Sequence, residues 1–281
     1  METIKDYQMK FGGRKMLKLI KLELFKSKNI LIYFFSIIFL TEILFLIGYA
    51  LDKEILIAIT TFLLSIMAVV SVVAIIIYSV ILYLPDISKK PGYMLFSTPN
   101  SAYKILGSKI IVTLIVGFLL FIVFALLGSF DIYLTTKDID TSEITLESIF
   151  KFIIDALREE PVGITLFFTS TLSQFIANIT IVYFSITLTY TFLSNVKFKN
   201  FIAFLVFIGV NTVLSTAAFA IQSLLNLSGA FEFNTALYNS SNPFDLNFNV
   251  NFMLVPLIIN IIIGLVMYFA SAWMVEKKLN L

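Results

Sequence analysis

The chain has 281 residues, of which 59% are apolar and 14% charged, and its formal net charge is +2. Since a soluble domain carries roughly 25% charged residues, this composition excludes an ordinary water-exposed surface and indicates a protein that lies mostly in lipid. The absence of cysteine and histidine excludes disulfides, thiol nucleophiles, haem, histidine-based metal sites and histidine-dependent triads. The small net charge gives no reason to expect a nucleic-acid partner.

The first element is a basic segment that precedes the first apolar stretch. Residues 15–28 read KMLKLIKLELFKSK, with lysines spaced between apolar residues. This pattern predicts a helix that lies along the inner membrane interface with its lysines directed toward the headgroups, although a basic flank that only fixes orientation would look the same. The residues before it lack an apolar core followed by a cleavage site, so no removable signal peptide is expected.

Six apolar stretches follow, and each is long enough to cross a bilayer, which takes about 20 helical residues. They lie at 30–50, 56–84, 105–130, 162–194, 201–226 and 252–274. The fourth is too long for one perpendicular crossing and is expected to tilt, kink or project from the membrane. The sequence therefore predicts an all-α integral membrane fold with one transmembrane domain over residues 1–281.

The basic residues are unevenly distributed around these spans. Sixteen lie before the first span, in or beside the second and fourth connections, or in the C-terminal tail, against four in the first and third connections. The positive-inside rule therefore predicts a multi-pass protein of the cytoplasmic membrane with both termini in the cytosol. The opposite face is acidic, because residues 131–160 hold eight carboxylates and three bases.

The second connection contains an apolar cluster in otherwise polar surroundings. Pro85 is expected to end or kink the second span, and the residues from Ser97 to Ser101 predict a turn and an N-cap for the third helix. Between them lie the apolar residues 93–96. An apolar cluster exposed to the cytosol needs cover, which either the inner ends of the spans or a soluble partner would supply.

The two long outer connections carry weaker patterns. Apolar residues at helical spacing within 146–157 predict an amphipathic helix on the outer leaflet or over a pore mouth. In residues 228–251, apolar side chains alternate with polar ones from Phe244 to Val250, which predicts an extended segment with one buried face. A plain connector is the alternative there, and a return of this region into the membrane is left open.

Several polar residues fall within the predicted spans. Glu42 is the one carboxylate there, and it must pair, protonate or face water, unless it reaches the headgroups. The amides either line a pathway or form hydrogen bonds between helices. The candidate pathway residues are Glu42, Gln174, Asn178, Asn211 and Asn260.

A family resemblance rests on residues around the second connection, namely Asp86, Gly92, Leu95, Pro99, Gly107 and Lys109. With the basic helix before the first span, the six spans and the short tail, the chain resembles the permease subunit of the ABC type-2 transporter family. The resemblance implies an N-terminal interfacial (elbow-like) helix and a cytosolic coupling helix between spans two and three, at about residues 88–101. Both would be seats for an ATPase subunit, with contacts at Lys15, Lys18, Lys21, Lys28, Lys89, Tyr93, Leu95, Phe96 and Ser101.

The implied function is ATP-driven export of a hydrophobic or amphipathic substrate, such as an antimicrobial peptide, a drug or a lipid-like molecule. The partners would be a dimer of soluble ATPase subunits, a second identical or homologous permease, and the bilayer. The chain has no G-x-x-x-x-G-K-[ST] phosphate loop. We therefore expect no enzymatic activity and no cofactor in this chain, with ATP and magnesium bound by the partner subunit.

Three other functions remain open on sequence grounds. An ion-coupled secondary transporter usually needs intramembrane carboxylates and often shows inverted repeats; a single such carboxylate and no evident repeat argue against it. A membrane enzyme would need a site that the group Asp138, Asp140 and Glu143 does not obviously form. A membrane immunity or signalling partner that transports nothing is the third.

Overall fold

The fold is described from a computed structural model, which covers residues 2–88, 101–136, 154, 158, 161–193, 196, 198–224, 231–233, 246–248 and 250–277. Over these residues the chain forms six long helices: α1 (Glu2–Ala50), α2 (Glu54–Ser88), α3 (Ala102–Thr136), α4 (Pro161–Phe192), α5 (Lys199–Leu224) and α6 (Val250–Lys277). Two short strands, β1 (Phe231–Phe233) and β2 (Leu246–Phe248), lie between α5 and α6.

All six helices are long and apolar enough to cross a membrane, which confirms the six predicted spans. The described residues separate into two compact units, one containing α1–α3 and the other α4–α6 with the two strands. The single-domain organisation stays a prediction. Each unit is described by itself below.

The basic N-terminal segment is not a separate helix in the structure. It is continuous with the first span, and α1 runs unbroken from Glu2 to Ala50. The physical reason is a stripe of buried residues at intervals of three and four, which faces α2 and α3 and includes Leu19, Glu23, Ser27, Ile38 and Phe45. The apolar Leu17 and Phe25 are instead exposed. The predicted interfacial placement of residues 15–28 is therefore not confirmed.

A tight turn joins α1 to α2. The Lys53 amide donates to the Gly48 carbonyl at 2.9 Å and the Asp52 amide to the Tyr49 carbonyl at 3.2 Å, the hydrogen-bond pattern of a Schellman motif. Asp52 has a φ of 49°, the left-handed conformation that this motif requires and that aspartate tolerates. The end of α1 and the start of α2 are consequently held close together.

Helix α2 continues through Pro85 to Ser88. The sequence predicted that Pro85 would either end or kink the second span, and it does not end the helix. Pro85 lacks an amide proton for the Ile81 carbonyl, but only three residues of helix follow it. The proposed coupling helix lies almost entirely outside the described residues, as does the amphipathic helix predicted within 146–157.

In the second unit, α4 is the central helix, and both α5 and α6 pack against it. Twelve residues of α4 are buried, whereas Ala203 is the one buried residue of α5. The strands β1 and β2 pair antiparallel, with Phe231 opposite Phe248. Residues 246–248 are thus extended as predicted, while most of the rest of 228–251 lies outside the described residues.

Candidate functional site

A buried group of charged side chains joins the three helices of the first unit at the end where α1 begins, α2 ends and α3 begins. Lys109 of α3 is at its centre and is completely buried. Its Nζ lies 2.5 Å from Asp86 Oδ2 of α2 and 3.1 Å from Glu23 Oε1 of α1. The same ammonium donates a hydrogen bond to the Leu82 carbonyl at 2.7 Å. One cation therefore connects three helices.

Lys26 completes this group, which we call the ion cluster (Glu23, Lys26, Asp86 and Lys109). Its Nζ lies 3.5 Å from Glu23 Oε1 and 3.7 Å from Asp86 Oδ1, and its side chain is 47% exposed. Two carboxylates thus face two ammonium groups, and the cluster is neutral. Because Glu23, Asp86 and Lys109 are buried, removal of the central cation would leave two buried carboxylates poorly compensated.

The positions of these residues follow from the helix faces. Glu23 and Lys26 are three residues apart on α1 and so share one side of it. Asp86 lies in the last turn of α2, and Lys109 lies two turns after the start of α3. The undescribed residues 89–100 connect α2 to α3, so Asp86 and Lys109 lie close to the two ends of that connection.

A hydroxyl pair supports the ion cluster from the membrane side. The Ser27 and Tyr78 oxygens are 2.7 Å apart and buried between α1 and α2. The Ser27 hydroxyl lies 3.0 Å from the Glu23 carbonyl and can donate to it. Since Ser27 has a single hydroxyl proton, the Tyr78 hydroxyl is then the donor to Ser27. This contact links α1 and α2 one turn below Glu23.

A second charged site lies at the opposite end of the same three-helix unit. Glu42 of α1 and Asp131 of α3 are each 6% exposed, and their carboxyl groups lie within hydrogen-bonding range of one another. We call these two residues the carboxyl pair. A cavity of about 310 Å³ between α2 and α3 is lined by Asp131 together with the hydroxyl residues Thr61, Ser65 and Thr135. Glu42 is therefore buried against a partner rather than extended to the headgroups.

The ion cluster and the carboxyl pair are separated by one membrane thickness. Nineteen residues separate Glu23 from Glu42 and 22 separate Lys109 from Asp131, which at about 1.5 Å per residue is about 29 Å and 33 Å. The hydrocarbon core of a bilayer is about 30 Å thick. The separation of the two sites therefore matches the thickness of that core, with an apolar stretch of three helices between them.

The predicted ATPase contacts are only partly within the described residues. Lys18, Lys21 and Lys28 are exposed on α1, and Lys28 Nζ lies 4.3 Å from the centre of the Phe25 ring. Ser101 is exposed, and its carbonyl accepts from the Lys104 amide at 3.0 Å, which confirms it as the N-cap residue of α3. The side chain of Lys15 and the residues Lys89, Tyr93, Leu95 and Phe96 lie outside the described part of the chain.

The predicted pathway amides are not brought together into one site. Asn260 of α6 donates to Gln174 of α4 at 2.8 Å, the hydrogen bond between helices that was the alternative to a pathway. The Asn178 oxygen is buried without a hydrogen-bond partner among the described residues. Asn211 accepts from Ser215 on its own helix at 3.3 Å. Within the described residues, Gln174 and Asn260 thus form one amide pair, and no hydrogen bond joins that pair to Asn178 or Asn211.

Sequence reasoning missed the central contacts of both charged sites. Asp86 and Lys109 were singled out, but not as ion-pair partners of each other. Glu23 was overlooked, although it is the only acid among the lysines of residues 15–28. Asp131 was assigned to the outer connection because the third span was ended at residue 130, whereas α3 runs to Thr136. The signal in each case was an isolated acid close to an apolar run.

Neither site has the composition of a metal centre, since no group of three acidic, histidine or cysteine residues is placed to hold a metal within the described ranges. The chemistry available is ion pairing at one boundary and proton or small-ion binding by two carboxyls at the other. The sites suit mechanical connection and ion binding. No protein-family model, curated protein or solved structure matches this chain.

Proposed function

We propose that this chain is the transmembrane permease subunit of an ATP-driven exporter, in the cytoplasmic membrane, that works with separate ATPase subunits and a second permease. The ion cluster is the observation that supports this best. It joins α1 to both helices that flank residues 89–100, the connection that the family resemblance assigns to ATPase contact. An element pushed by a soluble partner needs a rigid base, and a buried ion pair across three helices provides one.

The mechanism follows from the way in which the ion cluster joins these three helices. ATP binding would draw the two ATPase subunits together and displace the second connection of each permease. Because Lys109 lies 2.5 Å from Asp86 of α2 and 3.1 Å from Glu23 of α1, the displacement would move the ends of α1, α2 and α3 together. Such a rigid-body movement of a helix unit switches a transport path between two accessible states. The substrate class stays the one predicted above, a hydrophobic or amphipathic molecule.

The direct test is whether an ATPase accompanies the protein. The full chain, tagged and purified from its native membranes in mild detergent, should retain a soluble protein that hydrolyses ATP. Changing both Leu95 and Phe96 to Asp should remove that protein, because charge in the apolar cluster would prevent its docking. Leu51→Asp is the matched control, since Leu51 is 61% exposed in the turn at the opposite end of α1. An intact chain with no ATPase attached would refute the proposal.

The carboxyl pair favours a second candidate, an ion-coupled transporter. The sequence argument against it was the presence of a single intramembrane carboxylate, and Asp131 supplies another beside Glu42. The two candidates differ in their energy source. Reconstituted into liposomes, an ion-coupled transporter would move substrate in response to an imposed proton gradient without ATP, whereas the exporter would need both its ATPase and ATP.

A further inference from the structure

Three of the four carboxyl oxygens of Glu42 and Asp131 lack a hydrogen-bond partner among the described residues. Both side chains are more than nine-tenths buried. Neither oxygen of Glu42, nor Oδ1 of Asp131, has a hydrogen-bond partner in the described part of the chain. A buried polar atom without a partner costs about 1–3 kcal/mol, and more when it is charged. Two ionised carboxylates in this position would also repel each other.

Hydroxyl groups near the pair do not supply the missing hydrogen bonds. Thr61 and Ser65 of α2 donate to the carbonyls of Ile57 and Thr61, both at 2.9 Å. Thr135 donates to the Asp131 carbonyl at 2.8 Å. Each hydroxyl has one proton to donate, and each proton is already used along its own helix. Three of the carboxyl oxygens are therefore left without a donor within the described part of the chain.

No positive charge in the three packed helices reaches the pair. In α2 the ionisable residues are Glu54, Tyr78, Tyr83 and Asp86, and none is a cation. On α1 and α3, Tyr49 and Tyr133 lie nearest in sequence. Lys53, in the turn beside Asp52, is exposed and 11 residues from Glu42, which is about 17 Å along a helix. Lys109 is about 33 Å from Asp131 by the same measure.

We propose that Glu42 and Asp131 share one bound proton and form a proton-binding site near the membrane boundary opposite the ion cluster. A shared proton satisfies one oxygen of each residue and removes the repulsion between two charges. Two carboxyl groups alone provide too few oxygens for a calcium ion, which takes about 6–8. The cavity lined by Asp131 is large enough for several waters at about 30 Å³ each and gives the proton a path. The proposal stands whether the chain is an exporter subunit or an ion-coupled transporter.

The site makes folding depend on pH in a defined direction. The folded protein holds the shared proton, while the unfolded chain releases it as the pH rises through the ordinary range for carboxyl groups. Stability is therefore greatest at low pH and falls as the pH rises. With one proton more in the folded state, the unfolding equilibrium constant increases tenfold per pH unit until the site itself loses its proton.

The experiment is SDS-induced unfolding of the full chain in mixed micelles between pH 5 and 9. Wild type should show this pH dependence. Glu42→Gln should lose it and stay stable at high pH, because its amide donates permanently to Asp131 in place of the proton. Asp131→Asn should behave in the same way. Glu54→Gln, which changes an exposed acid at the same end, should keep the wild-type pH dependence.

Infrared spectroscopy of the wild type and of the three variants gives a second readout. A protonated carboxyl band should be present at neutral pH in wild type and in Glu54→Gln, and absent from Glu42→Gln and Asp131→Asn. Absence of that band from wild type would overturn the proposal, as would wild-type pH dependence in both pair variants. Stabilisation by sodium at constant pH and ionic strength would show a metal cation in place of the proton, which would also overturn it.

Discussion

At the scale of single residues, Lys109 has the largest expected effect on stability. It is completely buried and is the only described cation that contacts both Glu23 and Asp86 from within the helix packing. Lys26 also contacts both carboxylates, but its side chain is 47% exposed. Partly exposed ion pairs contribute little, commonly below about 1 kcal/mol. The cohesion of the ion cluster therefore depends mainly on Lys109.

Lys109→Met should lower the free energy of unfolding by about 3–5 kcal/mol, because it leaves two carboxylates buried without their main partner. SDS titration in mixed micelles measures this loss. Lys104→Met, which removes an exposed lysine from the same helix, should change stability by no more than about 0.5 kcal/mol. Combining Lys109→Met with Glu23→Gln and Asp86→Asn should restore part of the loss. Equal effects of the two lysine variants would contradict this account.

Contacts between individual residues are the part of the structure that the sequence predicted least well. Its isolated acids were visible, but the partner of Glu23 lies 86 residues away on α3, and no local pattern reports a contact over that distance. Likewise, the sequence indicated that Glu42 needs a partner. It did not indicate Asp131, because the third span was predicted to end at residue 130, one residue before it. Physical reasoning identified the need for compensation, and the three-dimensional packing supplied the identity of the partner.

At the scale of elements, the six spans were predictable because long apolar runs leave few alternatives to membrane helices. The errors concern helix ends and continuity. The basic segment was predicted to lie along the membrane interface, but its stripe of buried residues continues that of the span, and α1 is one continuous helix. The extent of a helix thus depended on tertiary contacts of Glu23 and Ser27 that local hydrophobicity does not report.

The turn between α1 and α2 gives a prediction at this scale. A Cβ at Gly48 would lie 3.1 Å from Leu56 Cγ and 3.3 Å from the Ile57 backbone nitrogen, so Gly48→Ala should destabilise the hairpin by about 1 kcal/mol or more. Gly209→Ala is the control, because nothing lies within 4 Å of that position, and it should stabilise α5 by about 0.5–1 kcal/mol. SDS unfolding of both variants provides the comparison, and a stabilised Gly48→Ala would show that the turn is not tight.

At the scale of the whole molecule, the chain comprises two units of three helices, each with its own connections between helices. In the first, charged sites lie at both ends of the bundle. In the second unit, α5 and α6 both pack against α4, and the hydrogen bond between Gln174 and Asn260 connects α4 to α6. The three spans of the first unit are more hydrophobic than those of the second, but hydropathy alone does not show which helices pack together.

Orientation is the prediction that belongs to this scale. The bias of basic residues places both termini in the cytosol, which would put the ion cluster on the cytosolic side and the carboxyl pair on the outer side. A reporter active only in the cytosol, fused after Leu281, should be active. The same reporter inserted at Leu51, in the turn between α1 and α2, should be inactive. The reverse pattern would move the ATPase contact to the wrong side and refute the exporter proposal with it.

The distance in sequence between Glu23 and Lys109 also determines when the ion cluster can form during translation. Eighty-six residues separate the two, and at about 5–20 residues per second the lysine is synthesised roughly 4–17 seconds after the acid. During that interval the nascent chain can already join α1 to α2 through Ser27 and Tyr78, while Glu23 has only Lys26 as a neutralising neighbour. Biogenesis of the first unit is therefore completed when the third helix arrives, and a chain truncated before Lys109 would retain an unneutralised acid and become a substrate for quality-control proteolysis.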